Sequence, residues 1–102
     1  MLSRVTLRTQ DDQLFAAESG GETVIHAVYL ANTSSSLRRF RIHHVLQGET
    51  SSTANALFYD VAIPANSTYV DDTRIVVRGG EELRGLADGS GIVATIYGLR
   101  SR

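Results

Sequence analysis

The chain has no cysteine, no lysine and a single proline, Pro64, and no apolar run in it approaches the length needed to cross a membrane. Without cysteine there is no disulfide framework and no Cys-based zinc site, and the redox compartment leaves no trace in the sequence. Without lysine, all ten basic residues are arginines. Arginine is the less strongly hydrated cation and makes forked contacts, which suits interfaces; a biased genomic base composition would produce the same preference. Eleven acidic residues bring the net charge to −1, so no global electrostatic case exists for nucleic acid or an acidic membrane surface as a partner. The opening MLSRVTLRTQDDQ lacks an apolar stretch of signal-peptide length, and a chain made in the cytosol without standard export is expected.

No window holds an apolar stripe at helical spacing. Short β-branched and aromatic runs instead alternate with Gly, Asn, Asp and Ser clusters, as in an all-β chain. Strands are expected at Val5–Arg8, Leu14–Ala17, Thr23–Ala31, Leu37–Leu46, Ala56–Ile63, Thr68–Val70, Ile75–Val77, Glu82–Ala87 and Ile92–Leu99. Some of the short ones are merged or marginal, giving about seven to eight strands in one antiparallel β-sandwich, jelly-roll-like or immunoglobulin-like. The 102 residues make one domain, with residues 1–20 as an N-terminal arm or edge strand. The serine turn after Asn32 is expected to close a hairpin between Thr23–Ala31 and Leu37–Leu46.

Two strands are apolar on both faces by simple alternation. Thr23–Ala31 has Val24, Val28 and Leu30 on one side and Ile25, Ala27, Tyr29 and Ala31 on the other. In Ile92–Leu99, Ile92, Ala94 and Ile96 oppose Val93, Tyr97 and Leu99. A sandwich strand with one wet face should alternate apolar and polar, so subunit contact is expected to cover the outside. Leu37–Leu46 behaves differently: Phe40, Ile42, His44 and Leu46 share the core face, and Arg39, Arg41, His43 and Val45 the polar one. The candidate packing residues are Val28, Tyr29, Leu30, Phe40, Ile96 and Tyr97. Arg39, Arg41 and His43 are the candidates for polar contacts, the arginines with another subunit or another protein, and His44 for a polar contact inside an apolar seam. No catalytic or cofactor-binding residue is assigned.

The adjacent His43 and His44 suggest a metal site, but consecutive strand residues point to opposite faces, so one ion cannot take both unless a bulge intervenes. Even with His26 nearby, no Cys or close carboxylate completes a ligand set, and no metal is assigned. The carboxylate pairs Asp11-Asp12, Asp71-Asp72 and Glu81-Glu82 flank turns without calcium-loop spacing. The serines show no G-x-S-x-G elbow, and the glycine pairs no phosphate-loop context. Nothing points to an enzyme or to a cofactor.

The successive segments VYLANTSSSLRRFRIHHV, ANALFYDVAIPANSTYVDD and IVVRGGEELRGLADGSGIVATIYG carry a resemblance. An ANTS turn after an apolar strand, ALFYDVAIPANST, and GGEELRG followed by AD before a final T-x-Y-G strand resemble the small β-sandwich structural proteins of tailed bacteriophage particles. These are head-decorating or cement proteins, head spikes or fibres, neck proteins and tail pieces. The likeness runs from Val24 to Gly98. It implies a virion protein assembled in the host cytoplasm, a homo-oligomer (most often a trimer) that docks on major capsid, neck or tail proteins, with neither nucleic acid nor membrane as partner. The alternative is a carbohydrate- or host-receptor-binding module of a fibre or tail. Against it, the loops at 33–36, 48–55 and 88–91 contain no Trp or Tyr for stacking on a sugar.

Overall fold

The computed structural model describes residues 1–101, with only the backbone of Ser101. Among the described residues there are nine strands and no α-helix: β1 (Ser3–Thr6), β2 (Asp12–Ala16), β3 (Glu22–Asn32), β4 (Arg38–Val45), β5 (Ala56–Ile63), β6 (Thr68–Asp71), β7 (Ile75–Arg78), β8 (Glu82–Ala87) and β9 (Ile92–Ser101). They form two packed antiparallel sheets, a β-sandwich as expected. One sheet has the order β1-β9-β3-β6, with β7 also paired to β3; the other runs β2-β8-β4-β5. The strand count exceeds the expected one because every marginal segment forms a strand.

The chain changes sheet at nearly every connection, and this overturns the expected hairpin. β3 pairs with β6, β7 and β9, whereas β4 pairs with β5 and β8 in the opposite sheet. The residues after Asn32 therefore form an arch between sheets. The physical reason lies in Asn32, which is buried. Its Nδ2 donates to the carbonyls of Ser36 at 2.8 Å, Ile63 at 2.9 Å and Pro64 at 3.2 Å. Its Oδ1 accepts from the Ser34 N–H and hydroxyl. One side chain thus ties the end of β3 to the end of β5 across the sandwich, where a two-residue turn would have bonded strand to strand. The 88–91 turn locks onto this arch: the Thr33 N–H donates to the Gly91 carbonyl at 2.8 Å, and Arg38 Nε to that of Ser90 at 2.8 Å.

Between β3 and β9 the ladder skips one residue, from Ile25↔Gly98 to Ala27↔Tyr97, leaving His26 as an extra residue on β3. A bulge of this kind reverses the alternation beyond it. Thr23 and Ile25 point inward before it, and Val28, Leu30 and Asn32 after it; all five are buried. Gly98 sits against the bulge. A Cβ there would meet Ile25 Cα at 2.9 Å and Leu2 Cδ1 at 3.0 Å, and would press harder still on the Val24 carbonyl. The same bulge faces the break between β6 and β7, which pair with residues 28–31 and 22–25 of β3.

The core lies between the sheets. Phe40 and Phe58 of the four-stranded sheet meet Tyr69 of the five-stranded one, with ring centroids 5.6–6.0 Å apart, two pairs tilted and one edge to face, an arrangement that adds to simple burial. Ile25, Val28, Leu30, Ile42, Leu83, Ile92 and Ile96 are among the other side chains of the interior.

Replacing Asn32 by Ala strands the Ser34 N–H and the buried Ile63 carbonyl, while the Ser34 hydroxyl keeps the Ser36 carbonyl as an acceptor. We expect a loss of about 2–3 kcal/mol, read as a lower urea midpoint at unchanged m-value. Gly98→Ala, which forces a methyl into backbone, should cost about 1–3 kcal/mol in the same assay.

Candidate functional site

The sandwich has two outer faces of contrasting chemistry. On the five-stranded sheet, β3 contributes Ala27, Tyr29 and Ala31 beyond the bulge, and β9 contributes Val93, Tyr97 and Leu99, with Val70 of β6 beside them. Tyr29 is 42% exposed, Tyr97 39%, Val70 48% and Leu99 68%. The two tyrosines sit edge to face with ring centroids 5.6 Å apart, each steadying the other. Charge is confined to the margin: Arg4, whose Nε donates to Thr95 Oγ1 at 3.1 Å, and the Glu22–Arg78 pair at 3.3 Å.

The four-stranded sheet turns charge outward. Arg41 is forked onto Asp60 at 2.7 and 3.2 Å, and its guanidinium lies 4.1 Å over the Tyr59 ring. This hydrogen bond holds the Asp60 carboxyl below its ordinary range. Arg84 reaches Asp11 at 2.8 Å and Glu82 at 2.7 Å, which raises its already high value further. Asp60 has φ 55° and marks one of two register skips between β4 and β5. Bulges there spoil the free edge of β5 as a template for a further strand.

The expected interface residues divide between these faces and the core. Tyr29 and Tyr97 are on the apolar face. Arg39 and Arg41 are on the charged one, so a single flat partner cannot touch both pairs. Val28, Leu30, Phe40 and Ile96 are at most 1% exposed. They belong to the chain's own interior and have no surface to give a partner. The bulge leaves Val28 and Leu30 on one face and exchanges Val24 for Ile25 beside them, so the set that alternation offered as a whole is the core set with one member changed.

His43 and His44 do face opposite ways, yet their surroundings reverse the expectation. His43 pairs with Arg84 on the outer face but is only 5% exposed, because the segment from Gly48 to Asn55 folds over it. Val45, expected on the polar face, is buried on the same side, and Leu46, expected in the core, is 45% exposed where the sheet ends. His44 lies opposite Leu83 at the open side of the sandwich, half-buried, with Nε2 2.9 Å from Glu81 Oε1. It lines a cavity of about 400 Å³ with Phe58, Asp71 and Ile75, where Asp71 Oδ2 is buried without a hydrogen-bond partner among the described residues.

The loop over His43 was not legible as a cover. Its ordering comes from a short 3₁₀ turn, Thr53–Asn55, closed by a reciprocal cap between Ser52 and Asn55. The S-x-x-N spacing at 52–55 is the signal that could have revealed it. Among the described residues no three His, Asp or Glu side chains gather as a metal site requires, and no helix is long and apolar enough to cross a membrane.

Comparison with models of known protein families, with curated proteins and with solved structures returns no match.

Glu81 titrates with consequence for the fold. Burial pushes its carboxyl upward, but the Arg78 N–H, and next the His44 ring, donate to it and outweigh burial, so it lies below its ordinary value. A depressed carboxyl contributes stability that is present above the unfolded value of 4.5 and is lost as pH falls through the folded one. The urea midpoint should therefore drop below pH 4.5, and Glu81→Gln should flatten that acid limb while lowering stability at pH 7.

Proposed function

We propose that this protein is a structural component whose work is binding, and that it self-associates by packing the outer face of the five-stranded sheet against a second copy. The observation that carries this reading is the uncharged aromatic and aliphatic surface around Tyr29, Tyr97, Val70 and Leu99, all of them at least 39% exposed. A contiguous apolar patch of this kind on a soluble domain marks an interaction site. With no charge at its centre the face has nothing to complement in a charged partner, and a surface of its own kind matches it best. The molecule measures 42 by 25 Å across its broad dimensions, and a stable interface takes about 800 Å² from each partner. Burial returns about 25 cal/mol per Å² before the costs of association.

The sequence resemblance supplies the setting: a tailed-phage particle, in which such a homo-oligomer, most often a trimer, decorates or reinforces the head, neck or tail. In that setting the charged face around Arg39, Arg41 and Asp60 is left free to dock on capsid or neck protein. The reading rests on the apolar face for self-association and on the sequence likeness for the particle.

Sedimentation at tens of micromolar is expected to give a multiple of the monomer mass. Tyr97→Asp should shift the population to monomer, with association weakened at least tenfold and the urea midpoint changed little. Arg39→Ala with Arg41→Ala should leave the oligomer intact. A wild-type chain that stays monomeric would overturn the self-association.

A further inference from the structure

The charged outer face holds a second feature that self-association does not use. A pocket of about 360 Å³ opens between β4, β5 and the loop from Gly48 to Asn55, with Asp11, Arg41, His43, Ser51, Thr53 and Tyr59 in its walls. His43 is the most buried of these at 5% exposure. Its Nδ1 is 3.1 Å from Asn55 Oδ1. The orientation of that amide is settled by other bonds: Oδ1 accepts from the Ser52 N–H at 3.0 Å, and Nδ2 donates to the Thr50 carbonyl at 2.9 Å. Since an oxygen faces the ring, Nδ1 carries the proton, and in the neutral imidazole Nε2 is left with a lone pair. Among the described residues no donor meets it. With the Nδ1 edge tied down, Nε2 is the edge left to the pocket.

The same wall holds another unmet acceptor. Asp11 Oδ2 receives Ser51 Oγ at 2.9 Å and Arg84 Nε at 2.8 Å, while Oδ1, buried, has no partner among the described residues. Across the pocket stands a donor of fixed aim. Arg41 spends Nε and Nη2 on Asp60 and sits over the Tyr59 ring, which leaves Nη1 free. Tyr59, 46% exposed, forms an apolar rim. It is the aromatic side chain that the loops lack, supplied instead by a strand. Arg41 is matched by Asp60, and Arg84 by Asp11 and Glu82, so the pocket has no surplus charge with which to hold a phosphate or carboxylate.

A histidine lone pair, a free guanidinium N–H, small hydroxyls and an aromatic rim, with no surplus positive charge, suit a ligand with closely spaced hydroxyl groups that both donate and accept. We propose that this pocket binds one ring of a neutral sugar, with a hydroxyl donating to His43 Nε2 and another accepting from Arg41. The site lies on the opposite outer face from Tyr29 and Tyr97, so its fate is independent of the self-association.

The test is a titration of the 15N-labelled full chain with glucose, galactose, mannose and N-acetylglucosamine, each to about 50 mM, above the millimolar affinity expected of a single shallow ring site. The His43 ring nitrogens and the amides of residues 51–55 and 59 are followed. For at least one sugar we expect saturable shifts confined to these groups, with His43 Nδ1 still protonated and Nε2 moving most. His43→Gln should weaken that sugar about tenfold, as loss of one hydrogen bond implies. Tyr59→Ala, at an exposed position that leaves the core untouched, should weaken it as well. No saturable shift with any of the four sugars, or shifts unchanged in both variants, would overturn the proposal.

Discussion

Between Ile25 and Ala27 the ladder joining β3 to β9 takes in one residue too many on the β3 side, and most of the molecule is arranged around that insertion. Because strand side chains alternate with a period of two, one extra residue exchanges the faces. Ile25 and Val28 can then both point inward although their numbers differ by an odd count. Tyr29 is turned out to stand beside Tyr97. The insertion also bends the strand, and Gly98 lets the neighbouring backbone close on the bend where a side chain could not fit. On the other side of β3 the edge is divided at the same level into β6 and β7. The apolar outer face is thus a consequence of where the parity changes.

The second constraint is Asn32. A buried amide is costly unless fully bonded, and here every donor and acceptor is used within one small region. Those bonds fix the end of one sheet against the end of the other, where the chain crosses from β3 to β4. This keeps the two outer faces chemically separate. One collects tyrosine, valine and leucine; the other collects arginines with their carboxylates, and the loop from Gly48 to Asn55 roofs part of it. The proposed self-association would use the apolar face alone and leave the ion-paired face, with its pocket beside His43, uncovered.

Much of the architecture was legible from residue pattern alone. Ala56–Ile63 and Glu82–Ala87 are found with the expected bounds, and the other strands differ by one or two residues at an end. Their signals are local: β-branched and aromatic residues flanked by Gly, Asn, Asp and Ser, which set backbone preference without reference to the rest of the chain. The split of His43 and His44 onto opposite faces was equally legible, since it follows from strand geometry. Burial was not. Val28, Leu30 and Ile96 read as interface candidates because alternation made their strands apolar on both sides, and alternation carries no mark of a bulge at His26. His43 read as exposed because a loop's destination is not written in the loop.

What the sequence determined by itself was therefore a composition of short strands and turns, an all-β chain with enough apolar residues for one core and no lysine or cysteine to define other chemistry. What only the tertiary structure decided was which side of each strand is inside, which strands are neighbours, and which polar groups meet. Those depend on contacts between residues far apart in the chain: Asn32 with Ile63, Arg84 with Asp11, Gly98 with Ile25, and His43 with Asn55 beneath a folded-over loop. A local pattern sets the period of a strand, but its register and its cover are fixed only when the partner strand and the covering loop are in place.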